Sequence, residues 1–196
     1  MNDFRSITVQ SGKKSVEIIN SAGFKMIGKG TQGAVFKLND DRCVKIFAKE
    51  SKCKHETKAL KAAQASQIVP KVYEAGPKYI IMEFIKGDTL QDNLESQRSI
   101  PESLVKQLLY VFKEMKKIGF TRIDAKTRHI IINQEGAVKV IDHVNSLKSK
   151  HPIPKRFFAE LANLNLLDSF LKQVKALDPE QYLEWYEASN KNKMLS

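Results

Sequence analysis

From Pro101 to Ile118 the apolar residues Leu104, Leu108, Val111, Phe112, Met115 and Ile118 recur at three- and four-residue steps, and Gly119 follows. This spacing predicts an amphipathic helix that stops at the glycine. A second helical period runs through "PKRFFAELANLNLLDSFLKQVKAL" by way of Phe157, Leu161, Leu164, Leu167, Leu171 and Val174. Asp178, Pro179 and Gln181 then offer an N-cap, a first-turn proline and a capping partner for a last helix containing Trp185.

The first part of the chain carries a different pattern. "GAVFKL" and "RCVKIF" are short β-type runs divided by the polar turn "NDD", and together they predict a hairpin. "KCKHETKALKAAQ" is rich in Ala, Lys and Leu and places Glu56 and Leu60 on one helical face. "KVYEAG" and the nearly continuous apolar "YIIMEFI" return to strands and end in a connector at Lys86-Gly87. "HIIINQEGAVKVID" predicts two more strands around the turn "NQEG". The elements amount to an α+β chain with a hinge near residues 83 to 88.

Composition narrows the class. The 196 residues are 42% apolar, enough for one core or for two small lobes. Lys and Arg number 33 against 22 Asp and Glu, a formal +11 that attracts anions of any kind. No recognition helix, RNP-type aromatic strand or zinc-finger spacing turns that excess into a nucleic-acid reader, so nucleic acid is not the expected partner. Two cysteines, Cys43 and Cys53, cannot form a disulfide framework. The start "MNDFRSITVQ" lacks a secretory core, and no run approaches a bilayer span. These features predict a cytoplasmic protein with no membrane partner.

The candidate chemistry begins at "IGKGTQGAVFKL", where Gly28, Gly30 and Gly33 precede Val35. A dinucleotide fold would follow such glycines with a helix, but here another strand-like run follows. A glycine hairpin closing over a triphosphate fits better, since backbone without side chains can approach phosphate oxygens.

The order of further landmarks resembles the eukaryotic-like serine/threonine protein kinases, from Ile27 to Asp142. In "RCVKIF", Lys45 matches the strand lysine that pairs with the α- and β-phosphates, and Glu56 matches the helix glutamate that fixes it. "IIMEFIKGDTL" is similar to the strand, gatekeeper and hinge, with Met82 as gatekeeper and Glu83 to Ile85 offering backbone groups to adenine. "GFTRIDAKTRHIII" resembles the catalytic loop: Asp124 stands in the base position, and Lys126 is the lysine typical of Ser/Thr enzymes. Asp142, in "VKVIDHV", resembles the metal-binding Asp of Asp-Phe-Gly.

Several positions depart from that pattern. His129 replaces the Asn that would supply the second metal ligand, and Arg122-Ile123 replace His-Arg. His143-Val144 replace Phe-Gly, and Cys43 stands where an alanine roofs adenine. "SLKSKHPIPKR" is too short for an ordinary activation segment, and 54 residues follow Asp142, closer to reduced RIO-like kinases. The resemblance implies a two-lobe fold: an N-lobe over 1–85, with an antiparallel sheet and one helix, and a shortened, mainly helical C-lobe over 86–196. It also implies ATP and Mg²⁺ as cofactors, with Asp142 and His129 in the metal positions, and a protein substrate with a Ser or Thr acceptor. The alternatives are a pseudokinase acting as a nucleotide-binding or scaffold module, and a small-molecule kinase.

Overall fold

The computed structural model describes residues 3–193, with side chains through Glu187. The chain divides into two compact units, residues 1–86 with 142–147, and residues 87–141 with 148–196.

In the first unit a 3-10 turn, Phe4–Ser6, leads into a two-stranded antiparallel hairpin, β1 (Thr8–Gln10) and β2 (Glu17–Ile19). A five-stranded antiparallel sheet follows, from β3 (Met26–Lys29), β4 (Gly33–Lys37), β5 (Arg42–Phe47), β6 (Val72–Ala75) and β7 (Tyr79–Glu83), in the order β3-β4-β5-β7-β6. Helix α1 (Glu50–Ala62) connects β5 to β6. The strands alternate as the sequence pattern requires. Ala34, Phe36, Val44, Ile46 and Ile81 point to one face, where Ile7, Val9 and Val16 of the N-terminal segment cover them. Phe4 packs edge-on against Tyr79 beneath the Arg5 guanidinium. This covering hairpin is absent from the sequence prediction because its strands are only three residues long.

Registered pairs put Val35 opposite Lys45, Lys45 opposite Ile80, and Cys43 opposite Met82. These residues belong to the other face, on which Cys53, Glu56, Ala59 and Leu60 of α1 are buried.

The second unit contains a three-stranded sheet, β10 (Val138–Val140), β9 (Ile130–Asn133) and β8 (Gly87–Thr89), in that order. Its helices are α2 (Leu90–Gln97), α3 (Glu102–Lys117), α4 (Lys155–Asn163), α5 (Leu167–Leu177) and α6 (Pro179–Lys193). The predicted helix over 101–118 is α3. Thr89 caps α2 by accepting the Asp92 amide at 3.1 Å, a short element that the pattern "GDTL" does not announce. The period through Phe157 to Val174 is two helices, not one. Asn165 takes φ +58, which stops α4, so Leu166 and Phe170 are buried where a continuous helix would bury Leu167 and Leu171. Phe112, Phe157, Phe170 and Trp185 meet edge-on or stacked and form the aromatic centre of this unit. Asp178 accepts the Gln181 amide at 3.1 Å as the N-cap of α6, but the Gln181 side chain turns to Glu184 instead of closing the box.

Candidate functional site

The first unit draws together three residues that lie far apart in the sequence. Lys45 Nζ donates to Glu56 Oε2 at 2.6 Å and to Asp142 Oδ1 at 3.0 Å. Strand β5 holds the lysine, α1 presents the glutamate, and the residues after β10 bring in the aspartate. Glu56 is 2% exposed at the side chain and Asp142 38%, so one carboxylate is committed to the interior and the other reaches solvent. Asp142 also adopts φ +68, an unusual conformation for a residue with a β-carbon.

Burial alone would lower the lysine pKa, but Glu56 and then Asp142 outweigh it, so Lys45 stays an ammonium with its pKa above the ordinary value. Burial raises the Glu56 pKa, against the pull of Lys45 and the His143 backbone amide that donates to it. His143 itself is 1% exposed, with Nδ1 3.1 Å from Ser146 Oγ. A buried histidine thus fills the space after the aspartate where the resemblance expects phenylalanine.

The glycines do not share one role. A β-carbon on Gly33 would lie 2.3 Å from the Ile46 carbonyl, so the sheet itself requires glycine there. At Gly28 a β-carbon would meet only Val35 at ordinary contact distance, and at Gly30 it would find almost open space. Neither has a positive φ. The fold therefore gives no reason for glycine at 28 or 30, which is the arrangement expected where another group must come close to the backbone.

Cys43 and Met82 are buried beside each other in the sheet. Burial pushes the Cys43 thiol up to about 12, which keeps it protonated and unreactive at neutral pH. Its Sγ lies 3.6 Å from the Glu83 carbonyl. The Glu83 amide donates to Lys71 and the Phe84 amide to Asp41. Of the hinge residues Glu83 to Ile85, Ile85 is buried.

In the second unit Asp124 is 6% exposed. Its Oδ1 accepts the Arg156 amide at 2.7 Å, while Oδ2 lies 3.7 Å from Arg156 Nε and 3.9 Å from Arg122 Nη2. Residues 121–123 run beside 149–151: the Ile123 amide donates to His151 and the His151 amide to Thr121. Glu160 Oε2 accepts both the amide and the hydroxyl of Thr127, at 2.7 and 2.8 Å. Helix α4 thus grips the loop on both sides of Lys126. Sequence reasoning missed Arg156 and Glu160. The available signal was Pro154, which offers no capping side chain and so leaves the first amides of α4 to find an acceptor elsewhere.

His129 Nε2 accepts from Arg128 Nε at 3.4 Å, which directs its lone pair at a cation. Among the described residues no group of three His, Cys, Asp or Glu side chains could hold a metal ion alone. Mg²⁺ is commonly held by one or two carboxylates together with phosphate oxygens and water, and the partly exposed Asp142 carboxylate fits that mode.

The family model for the ABC1 atypical kinase-like domain matches residues 46–174, more than half of the chain. The chain belongs to the ABC1 atypical kinase-like family. Among curated relatives of this kinase-like chain, "Putative serine/threonine-protein kinase YrzF" of Bacillus subtilis is 30% identical over 60% of the chain and 57% of its own length. "Probable serine/threonine-protein kinase CPE1738" of Clostridium perfringens is 29% identical over 59% of the chain and 20% of its length. "Serine/threonine-protein kinase ppk18" of Schizosaccharomyces pombe is 27% identical over 70% and 12%. The chain therefore matches little more than half of the first relative and much less of the others. The family match begins one residue after Lys45, so the glycine hairpin stands outside it.

Proposed function

We propose that this chain is a kinase that transfers the γ-phosphoryl group of ATP, with Mg²⁺, to a Ser or Thr hydroxyl of a protein. The observation that carries the reading is the Lys45 ammonium held between Glu56 and Asp142. A buried ion pair contributes little net stability compared with apolar packing, whereas a fixed ammonium beside an exposed carboxylate suits phosphate and its metal. In this reading Lys45 holds the α- and β-phosphates, and Glu56 fixes its direction. Gly28 and Gly30 let the backbone close on the phosphates. Val35, Cys43 and Met82 contact the base, and the Glu83 carbonyl and Ile85 backbone bind its edge. Mg²⁺, held by Asp142, would neutralise charge on the phosphates.

Residues 1–85, joined by Asp142, act as the nucleotide-handling lobe and the rest of residues 86–196 as the acceptor-handling lobe. Asp124 orients the acceptor hydroxyl and takes its proton. The acceptor oxygen bonds to the γ-phosphorus as the bond from that phosphorus to the β,γ-bridging oxygen breaks, leaving ADP. Lys126 offsets charge on the moving group. The names of the curated relatives support the Ser/Thr assignment.

A nucleotide-binding scaffold is the second reading, favoured by the hydrogen bond that already occupies Asp124 Oδ1. Transfer from labelled ATP to a mixed protein substrate, compared between the natural protein and Asp124→Asn, decides between them. Transfer lost in the variant supports the kinase; nucleotide binding with no transfer by either protein supports the scaffold.

A further inference from the structure

The two segments that the second unit stitches together, 121–129 and 148–156, carry seven Lys and Arg residues, Arg122, Lys126, Arg128, Lys148, Lys150, Lys155 and Arg156, and one acid, Asp124. That acid is buried and already bonded to the Arg156 amide. Arg128, Lys148, Lys150, Lys155 and Arg156 are exposed. The backbone bonds between 121–123 and 149–151, with the Asp124 contact to Arg156, bring the two basic segments side by side. Several other lysines carry a carboxylate beside them: Lys37 has Asp40, Lys54 has Glu50, Lys106 has Glu102 and Lys113 has Asp178. Lys126, Lys148, Lys150 and Lys155 make no ion pair with any described residue. A concentration of like charge without counter-charges raises the local potential and draws in a complementary partner.

We infer that this surface selects an acidic protein segment, a Ser or Thr flanked by Asp or Glu. The inference rests on the kinase reading for the identity of the acceptor. Asp124, the proposed base, lies on the same stitched loop, so carboxylates beside the hydroxyl would meet Lys148, Lys150 and Lys155 as the hydroxyl approaches it. A polypeptide is favoured over nucleic acid because the two segments contain no Phe, Tyr or Trp to give successive bases a stacking platform.

The test uses the full chain and a fluorescent peptide of Asp and Glu around a central Ala, which binds without accepting phosphate. Lys148→Glu with Lys150→Glu and Lys155→Glu makes the loop variant. Lys54→Glu with Lys58→Glu and Lys61→Glu on α1 makes a control of equal charge change. Peptide binding is expected to weaken roughly tenfold or more in the loop variant and about twofold or less in the control, and to weaken further with salt. In transfer assays the matched acidic Ser peptide is expected to exceed neutral and basic ones. Equal losses in both variants, equal binding of a basic peptide, or tighter binding of a charge-matched RNA oligomer would overturn the inference. Binding that follows the expected pattern while no peptide accepts phosphate removes the kinase reading alone. Transfer without charge preference removes this inference alone.

Discussion

In the first unit two carboxylates, Glu56 and Asp142, share one ammonium, whereas in the second a single carboxylate, Asp124, faces two guanidinium groups and a backbone amide. The first arrangement is closed around its cation, and only Asp142 opens to solvent. The second leaves cations in excess at an exposed surface. In the proposed reading the difference matches the two tasks that phosphoryl transfer divides: holding a polyanion and its metal, and admitting an acceptor whose proton must leave. On that reading it also separates residues whose loss should harm folding and chemistry together from those whose loss should harm chemistry alone.

The largest expected effect belongs to the second cluster. Asp124→Asn keeps an oxygen for the Arg156 amide but cannot accept a proton, so transfer should fall by roughly 10² to 10⁴ with little change in melting temperature. A variant that retains the natural rate would end the base assignment.

Lys45→Met should act on both chemistry and stability, because it leaves Glu56 buried without its ammonium. A loss of about 3 kcal/mol is expected in denaturant unfolding. Adding Glu56→Leu should recover most of that stability and none of the transfer. If the double variant is no more stable than the single, the pair is not the buried unit described here.

The glycines sharpen the contrast within the first unit. Gly33→Ala should destabilise by roughly 1–3 kcal/mol through collision with the Ile46 carbonyl. Gly28→Ala and Gly30→Ala should leave the melting temperature nearly unchanged while weakening ATP binding. Equal destabilisation by all three would mean that the hairpin alone accounts for them.

Glu160→Ala removes the one acceptor of both Thr127 bonds and should cost about 1.5–3 kcal/mol, with transfer reduced further than the stability loss explains. The smallest effect concerns Asp178. Burial would raise its pKa, but the bonds from Lys113 and the Gln181 amide outweigh that and lower it. A depressed folded pKa gives stability that is present above the unfolded value near 3.8 and lost as pH falls through the folded one. Asp178→Asn should therefore flatten acid unfolding below about pH 4, by less than about 1 kcal/mol.

Long periodic segments and residues with a fixed chemical role were the most legible parts of the sequence. Helix α3, strands β4, β5 and β7, and the cap at Asp178 follow from spacing and residue type alone. Lys45, Glu56 and Asp142 could be named because each occupies a motif position, and the structure brings all three together. What could not be read depended on tertiary partners. The β1–β2 hairpin is held by the apolar face it covers, not by its own length. The break at Asn165 hides inside an unbroken leucine period. Arg156 and Glu160 act through loops that meet only after folding. The division of labour among the glycines also needed coordinates, since only the collision at Gly33 separates it from the other two.

The most direct test of the central claim, that the Lys45–Glu56–Asp142 cluster handles phosphate and metal, is the ATP-induced shift in melting temperature with and without Mg²⁺, for the natural protein and for Asp142→Asn. The account predicts a shift that is larger with Mg²⁺ in the natural protein and a Mg²⁺ increment that disappears in the variant. An equal Mg²⁺ increment in both proteins, or no shift with ATP in either, would contradict it.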